Sequence, residues 1–491
     1  MKNIPKITKV LLFLLAVTVF NSFSQDNILV PTFYGGLRGD YCASVINTAD
    51  EGYFLAGNSH SFNVGDNSAY IIHVDSMGDT IRSNLYEGSY ISKIINISDN
   101  KYAAIGQISS IDKGTDMWFL LIDSLGKVLL SRNYGGTNDD VASYIFSTDG
   151  GGFILSGYLM IPDTNYGLYN GIVTKLDSSG NIQWQTTIGD SLHPEDISAA
   201  IKTKDGEIAL IGTKNSQFWS DSAKYYLVKM NLSGEILWEK TYNGLGYARG
   251  SAIIELKNGN FILLGQSGTV GDYRGVIYAI GVDSTGNVLW EKKYQRQDND
   301  YGSFLYGANH ISDNQILLTG MVNIKQQGST TNGRAIMIDS MGEVIWINDY
   351  ELENVTGGVI NAKGEIILAG NGSVYSSINF GSSNGDFCIF QVDSTGKADF
   401  SKAKDYVGVK KEYSKPAFES FPSLFSAMSN HENTNGTGSI NFYNLMGQKI
   451  TPRFNTSTRA GSVLRNSRSG MIVANVKNGK QEYSGMLVQI K

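Results

Sequence analysis

Short apolar runs separated by clusters of Gly, Asp, Asn and Ser recur along most of the chain. The clearest marker is an apolar run that enters the pattern D-S-x-G, as in V-D-S-T-G-N-V-L-W at Val282–Trp290. Seven copies occur, and their first turn residues are Asp75, Asp123, Asp177, Asn231, Asp283, Asp339 and Asp393. Neighbouring copies lie 48 to 56 residues apart. A period of this size indicates a repeat architecture.

A second marker has the same count and the same phase. Each repeat contains an apolar run that ends in glycine, as in Y-F-L-A-G at Tyr53–Gly57. The seven glycines are Gly57, Gly106, Gly157, Gly212, Gly265, Gly320 and Gly370. Two independent markers in one phase predict seven repeats.

A single repeat, taken from Val141 to Gly189, contains four short apolar segments separated by turn residues. This pattern predicts four strands, and no run of helical period and length lies between them. In the D-S-x-G turn, the Asp side chain can accept hydrogen bonds from the following backbone, and Gly tolerates positive φ. The turn is therefore interpreted as a hairpin between the third and fourth strands, and turn chemistry alone explains both residues.

Four antiparallel strands per unit of this length describe a propeller blade. Tryptophan occupies the same place in four consecutive repeats, at Trp184, Trp238, Trp290 and Trp346. We interpret these rings as packing between neighbouring blades. The prediction is an all-β chain in which residues 25–404 form a seven-bladed β-propeller of four-stranded antiparallel blades.

The segment V-D-S-T-G-N-V-L-W-E resembles the repeat of pyrroloquinoline-quinone-type propellers, which usually have eight blades. The likeness rests on the turn and the Trp, so it implies the fold and not quinone chemistry. The whole repeat, with Y-G-G-T-N-D-D at Tyr134–Asp140, resembles secreted repeat proteins of Bacteroidetes-type bacteria.

The start of the propeller predicts how the ring closes. The segments Ile28–Gly36 and Val128–Gly136 both end in Y-G-G, and the second is interpreted as a fourth strand that leads into the next blade. We therefore predict that Ile28–Phe33 completes the last blade, since closure removes exposed sheet edges. The alternative is that Lys397–Tyr406 supplies the last blade's own fourth strand. Closure would also bring together Cys42 and Cys388, either as a disulfide or as two buried thiols.

The first 24 residues are typical of a signal peptide. Lys2, Lys6 and Lys9 precede the apolar stretch Val10–Phe20, and small residues follow it. No Cys follows that stretch, and no other segment is long and apolar enough for a transmembrane helix. The sequence thus predicts export, with secretion or display on the cell surface.

Residues 405–437 read as a linker, and residues 438–491 as a small β-sandwich-like domain. F-Y-N-L-M-G-Q-K-I at Phe442–Ile450, S-G-M-I-V-A-N-V at Ser469–Val476 and the final G-M-L-V-Q-I-K resemble the C-terminal sorting domain of type IX secretion substrates. The usual Pro-Asn-Pro opening is absent. The resemblance implies the type IX secretion machinery as a partner and passage through the outer membrane; the alternative is an ordinary small β domain.

The lengths of the connections distinguish the two ends of the strands. First-to-second turns and D-S-x-G turns are short and share one end, here named the turn end. Longer second-to-third and fourth-to-first connections share the other, named the loop end, where binding is usual on a rigid scaffold. Aromatic residues there suit stacking on sugars or docking to proteins. The ligand-binding candidates are Tyr166, Tyr169, Phe218, Trp219, Tyr273 and Tyr301.

Charge and motifs narrow the chemistry. The net charge of −6 argues against nucleic acid as a partner. The five His and two Cys show no zinc spacing, and no G-x-S-x-G elbow occurs. Five acids at the loop end could bind calcium through oxygen ligands, but their spacing is not that of a calcium loop, so we interpret them as solvated loop residues. They are Asp112, Asp116, Asp163, Asp221 and Asp272. No catalytic residue, metal or cofactor is predicted.

Three functions remain open from the sequence. The first is an exported non-enzymatic propeller that binds a glycan or a protein partner through its loop end. The second is a glycan-active hydrolase or lyase with its site over the central channel, because carboxylate pairs are defined only in three dimensions. The third is a structural surface or adhesion protein.

Overall fold

The computed structural model divides the chain into two compact units, Met1–Lys410 and Lys411–Lys491. It describes residues 28–36, 38–62, 67–98, 100–110, 114–136, 138–160, 169–189, 194–215, 222–269, 275–295, 300–324, 330–372, 385–407, 439–444, 449–450, 471–478 and 481–488. The predicted signal peptide and residues 408–437 of the predicted linker lie outside these ranges.

The strands of the first unit form seven consecutive sheets. Strand β1 is Thr32–Gly35, and blades 1 to 3 consist of β2 Asp40–Asn47, β3 Tyr53–Ser59, β4 Ser68–Val74, β5 Thr80–Tyr86, β6 Tyr90–Ser98, β7 Lys101–Ser110, β8 Gly114–Asp123, β9 Val128–Tyr134, β10 Asp140–Ser147, β11 Phe153–Met160, β12 Tyr169–Leu176 and β13 Ile182–Ile188. Blades 4 to 7 consist of β14 Glu195–Lys202, β15 Ile208–Lys214, β16 Lys224–Met230, β17 Ile236–Tyr242, β18 Tyr247–Glu255, β19 Phe261–Gly268, β20 Val276–Val282, β21 Val288–Tyr294, β22 Asp300–Ser312, β23 Gln315–Ile324, β24 Thr330–Ile338, β25 Val344–Tyr350, β26 Asn354–Ile360, β27 Ile366–Gly372 and β28 Asp386–Val392.

These sheets make a closed ring. Each of blades 1 to 6 is a four-stranded antiparallel sheet in chain order. Each first strand contacts the first strands of both neighbouring blades, and β26 of blade 7 contacts β2 of blade 1. The first strands therefore surround the centre of the ring. The seven-bladed β-propeller predicted from the repeat count is confirmed.

Both ends of the propeller segment meet in blade 7. β1 pairs antiparallel with β28, with Phe33 opposite Cys388, and so provides the fourth strand. Strand β29, Lys404–Val407, follows a short 3-10 helix at Phe400–Lys402 and pairs in parallel with the outer edge of β1. The N-terminal segment thus closes the ring as predicted, although its strand is Thr32–Gly35. The alternative segment adds a fifth strand instead of replacing the fourth.

The glycine marker has a steric cause. Every first strand carries a β-bulge at the same place, as between Cys42 and Ser44 in blade 1. The bulge pushes a carbonyl group against the second strand, so that a Cβ on Gly57 would lie 1.8 Å from the carbonyl oxygen of Tyr41. The other six marker glycines meet the equivalent carbonyl oxygen at 1.8 to 2.1 Å. No side chain fits there, which explains why glycine recurs.

Tyrosines join neighbouring blades. In six blades, a Tyr lies at or next to the end of the fourth strand. The hydroxyl of this Tyr donates a hydrogen bond to the carbonyl oxygen of the glycine in the D-S-x-G turn of the next blade. The six pairs are Tyr34–Gly78 at 2.5 Å, Tyr86–Gly126 at 3.0 Å, Tyr134–Gly180 at 2.5 Å, Tyr242–Gly286 at 2.8 Å, Tyr294–Gly342 at 3.1 Å and Tyr350–Gly396 at 2.6 Å.

The seam between blades 3 and 4 uses other donors. Ile188 stands where the other fourth strands have Tyr. Trp184 Nε1 donates to the carbonyl oxygen of Leu232 at 3.0 Å, and Thr186 Oγ1 donates to that of Gly234 at 2.9 Å. The predicted packing of tryptophan between blades is confirmed at this seam.

The two cysteines of the first unit are buried and unbonded. Burial raises the pKa of the Cys42 thiol to about 12, so it stays protonated at neutral pH. Of the two alternatives from the sequence, the structure has the pair of buried thiols.

The second unit contains one described sheet, in the order β31-β30-β32-β33 and antiparallel throughout. Its strands are β30 Ser439–Asn444, β31 Lys449–Ile450, β32 Met471–Asn478 and β33 Gln481–Val488. Strands β32 and β33 pair along their whole length, from Met471 opposite Val488 to Asn478 opposite Gln481. Across the described ranges of both units, no helix has the length and apolar character needed to span a membrane.

Candidate functional site

The turn end is held by local hydrogen bonds. In the first D-S-x-G turn, Asp75 Oδ1 accepts from the backbone N–H groups of Met77 and Asp79, both at 2.9 Å. The same pair of bonds recurs in all seven turns. The backbone N–H of Asn287 and neighbouring donors lower the pKa of Asp283 to about 2. The interpretation of these acids as structural turn residues is confirmed.

The aromatic candidates at the loop end are only partly described. Tyr166, Phe218, Trp219 and Tyr273 lie outside the described residues. Tyr301 lies in β22, one residue after its start.

Tyr169 begins β12 and is half-buried. Its ring meets that of Tyr158 edge-on, with centroids 4.9 Å apart. Tyr169 therefore packs partly on its own blade, and the described residues do not bring the candidates together into one site. Of the loop-end acids, Asp116 lies in β8, whereas Asp112, Asp163, Asp221 and Asp272 lie outside the described residues.

The sequence did not single out the residues that surround the centre of the ring at the loop end. In each first strand, the residue just before the bulged residue is buried; Cys42, Ile91 and Leu305 are examples. Strand alternation places the residue before it on the opposite face of the strand. These half-buried residues form what we name the channel mouth: Tyr41, Tyr90, Val141, Asp196, Arg249, Phe304 and Asn354.

One side of the channel mouth is aromatic. The bulged residue is Ala, Ser or Thr in six blades but Tyr306 in blade 6, where its side chain is 47% exposed. The Tyr306 hydroxyl lies 3.1 Å from Met321 Sδ. Burial raises the pKa of Tyr90 to about 12, with contributions from Cys42 and from Tyr306. Tyr90 and Tyr306 lie on the first strands of blades 2 and 6, which are not neighbours.

The other side of the channel mouth is charged. Asp196 belongs to β14 of blade 4 and Arg249 to β18 of blade 5. Burial raises the pKa of Asp196, while the positive charge of Arg249 and the hydroxyls of Thr213 and Ser198 oppose that rise. Ser198 Oγ lies 3.3 Å from Asp196 Oδ1. The mouth thus combines ring faces with one acceptor and one donor group, a combination that suits polar ligands with an apolar face.

Two acidic residues, Asp40 of blade 1 and Asp386 of blade 7, lie at the seam where the ring closes. Asp40 Oδ2 accepts from the backbone N–H of Gly36 at 2.8 Å. A Cβ on Gly35 would lie 1.8 Å from Asp386 Oδ1, so only glycine admits this carboxyl group. Burial is the main cause that raises the pKa of Asp386 to about 8, and the negative charges of Asp40, Asp405 and Glu353 add to this rise. At neutral pH this carboxyl group is therefore mostly protonated.

The seam between blades 2 and 3 repeats the arrangement. Asp140 Oδ2 accepts from the backbone N–H of Gly136 at 2.9 Å, and a Cβ on Gly135 would lie 2.1 Å from Asp116 Oδ1. The signal in the sequence is Y-G-G followed by Asp four residues after the second Gly, at Tyr34–Asp40 and Tyr134–Asp140. Within the described residues, no three His, Cys, Asp or Glu side chains group as metal ligands.

No family model and no curated protein matches the chain. Among solved structures, it is similar to a protein of unknown function from Dyadobacter fermentans, with 11% identity, TM-score 0.42 and coverage of 64% of this chain and 98% of that chain. A protein of unknown function from Bacteroides caccae has 10% identity, TM-score 0.37 and coverage of 61% and 92%. The β-propeller domain of the Trilobed protease from Pyrococcus furiosus has 11% identity, TM-score 0.39 and coverage of 68% and 90%. Similarity at this level carries no argument about function.

Proposed function

We propose that this protein is an exported, non-enzymatic β-propeller that binds a glycan or a protein partner through its loop end. The observation that carries the proposal is the contrast between the two ends of the blades. Hydrogen-bonded turns of one kind close the turn end seven times. The loop end has connections of unequal length and the channel mouth, to which different first strands contribute aromatic residues, an acid and a guanidinium group. Unequal loops on a rigid ring are the usual place for recognition.

The channel mouth supplies the chemistry for reversible binding. The rings of Tyr90, Phe304 and Tyr306 offer faces on which a sugar ring or an apolar side chain can stack. Arg249 offers donors in a fixed plane, and Asp196 offers acceptors. Hydroxyl groups of a glycan, or backbone groups of a protein loop, can pair with both.

The second unit is proposed to direct delivery. Its sequence resembles type IX sorting domains, and its described strands form one antiparallel sheet. We propose export to the periplasm by residues 1–24, then passage through the outer membrane to the cell surface or the medium. Removing residues 438–491 should leave the propeller in the cell. Immunoblots of medium, surface and periplasm test this, and unchanged delivery would contradict it.

Binding is tested with the mature chain, residues 25–491, on a glycan array and in a pull-down from the natural cell surface. Arg249→Gln and Tyr306→Ala should each reduce the captured amount about tenfold, because each removes a contact group from the mouth. Lys363→Gln, at an exposed site on the turn end of blade 7, is the matched control. Equal binding by all variants would contradict the proposed site. Turnover of a glycan by the mature chain would contradict the non-enzymatic assignment.

A further inference from the structure

The outer strand of blade 3 differs from the outer strands of the other blades. Strand β13 reads I-Q-W-Q-T-T-I at Ile182–Ile188 and contains no charged residue. Each outer strand of blades 1, 2, 4, 5 and 6 contains at least one, as at Arg82, Arg132, Lys240, Lys292 and Asp349. Charged side chains on an edge strand discourage pairing with a strand of another molecule. Strand β13 lacks this protection.

The outer edge of β13 is open. The strand is the last one in the sheet order β10-β11-β12-β13, and among the described strands only β12 pairs with it. Ile182 is 48% exposed, and Gln183, Gln185 and Thr187 are exposed as well. In blade 7, by contrast, β29 pairs with the outer edge of β1, whose four residues are all buried. The propeller thus already adds a strand at the equivalent edge of one blade.

Strand β13 is held in a fixed conformation. From Trp184 to Ile188 it pairs with β12 in a regular register. The Trp184 and Thr186 side chains donate hydrogen bonds to blade 4. Gln185 Nε2 donates to Thr174 Oγ1 of β12 at 3.2 Å. In an antiparallel ladder every second residue directs its N–H and C=O groups to the outer side. These groups of β13 are therefore preorganised for a further strand.

The composition of β13 identifies the strand that fits it. A two-fold axis pairs a strand antiparallel with its own copy, so every charged group in the strand adds a second charge of the same sign to the ladder. Such pairing of β21 would bring Glu291, Lys292 and Lys293 of both copies into one ladder. In β13, any antiparallel register brings together only amide, hydroxyl, aromatic and aliphatic side chains. Charge therefore favours β13 over the other open outer strands as a contact between two copies of this chain.

We propose that two copies of this chain associate through β13, which pairs antiparallel with the β13 of the second copy across a two-fold axis. The two four-stranded sheets of blade 3 then form one continuous sheet. The outward N–H and C=O groups of the two strands exchange hydrogen bonds, and the exposed apolar surface along each strand decreases. One strand from each copy makes a small contact, so the dimer should dissociate in the micromolar range. The dimer goes beyond the proposed binding function and does not depend on it.

Sedimentation velocity of the mature chain, residues 25–491, from about 1 µM to about 100 µM tests the dimer. Thr187→Lys, at an exposed position of β13, should weaken dimerisation about tenfold or more, because it places an ammonium group in each of the two paired strands. Thr241→Lys is the matched control, since Thr241 is exposed at the same position of β17 in blade 4. This control should dimerise like the unmodified chain.

Hydrogen–deuterium exchange of the unmodified chain locates the contact without a variant. Peptides that contain Ile182–Ile188 should exchange more slowly at the high concentration than at the low one, whereas peptides of β17 should not change. Raising the salt concentration should not weaken the dimer, because no ion pair crosses the ladder and salt screens the repulsion between two chains of net charge −6.

Three results would each overturn the proposal: a monomer at all concentrations, a dimer that Thr187→Lys leaves unchanged, and protection that excludes β13. Protection of β13 that appears only after another cell-surface protein is added would assign this edge to that protein. It would therefore also contradict pairing with a second copy.

Discussion

The hydroxyl group of Tyr242 donates a hydrogen bond to the carbonyl oxygen of Gly286, 2.8 Å away, and so joins blade 4 to blade 5. Both groups are buried at the seam. Equivalent bonds occur at six of the seven seams. The ring is therefore held by a repeated polar contact in addition to the apolar packing between blades.

Replacing Tyr242 by Phe should lower the free energy of unfolding by about 1–2 kcal/mol, because it leaves a buried carbonyl oxygen without its donor. Urea denaturation measures the change. Tyr169→Phe removes a hydroxyl at the loop end that makes no seam contact, and it serves as the control. If the two variants unfold at the same urea concentration, the seam bonds do not stabilise the ring.

Replacing Gly212 by Ala should lower the free energy of unfolding by about 3 kcal/mol or more. Its Cβ would lie 1.8 Å from the carbonyl oxygen of Asp196, so the bulge of β14 would have to move. Gly150→Ala is the matched control, since a Cβ there meets no atom within 4 Å. Comparable stability of the two variants, measured by thermal unfolding, would show that the bulge tolerates a side chain.

The fold was largely predictable because its markers are local. The D-S-x-G turns and the marker glycines satisfy constraints within one hairpin or one strand pair, so each repeat shows them in its own sequence. The tyrosines of these six seams are also in phase along the chain, as at Tyr86 and Tyr134. The acceptor of each tyrosine belongs to the next blade, 40 residues on for Tyr86 and 46 for Tyr134. Their role therefore required the structure.

The site was less predictable. The prediction relied on aromatic residues in long connections, whereas Tyr90 and Tyr306 lie in first strands. Tyr306 occupies a bulge position whose direction depends on strand pairing. The approach of Asp40 to Asp386 joins opposite ends of the propeller segment, and no local pattern encodes it.

Replacing Asp386 by Asn should change the pH dependence of stability. The pKa of Asp386 rises from an ordinary 3.8 to about 8 in the folded chain, so the folded state holds a proton that the unfolded state releases. Its contribution to stability is present below about pH 4 and is lost as the pH rises toward 8. The Asn variant lacks this loss and should be more stable than the unmodified chain at pH 8, by about 1 kcal/mol or more.

Urea denaturation between pH 4 and pH 9 measures this effect. Glu51→Gln, an exposed carboxylate at the turn end, should keep the slope of the unmodified chain. A slope that is unchanged in Asp386→Asn would refute the assignment of the buried proton.

The two outer strands of blade 7, β1 and β29, should contribute unequally to the free energy of unfolding. All four residues of β1 are buried, whereas Asp405 in β29 is exposed. Replacing Thr32–Gly35 by Gly-Ser-Gly-Ser removes the buried Phe33 and Tyr34 and should cost more than about 5 kcal/mol. The same replacement of Lys404–Val407 should cost less than about 2 kcal/mol. Equal losses in calorimetry would contradict closure by the N-terminal strand.

The proposed function is tested most directly by hydrogen–deuterium exchange of the mature chain, with and without a partner captured on the array or from the cell surface. Slower exchange is expected at the loop end, in peptides that begin the first strands, such as those containing Tyr90, Asp196 and Arg249. The D-S-x-G turns at the other end should exchange at unchanged rates. Protection confined to those turns, with none at the loop end, would contradict the proposal.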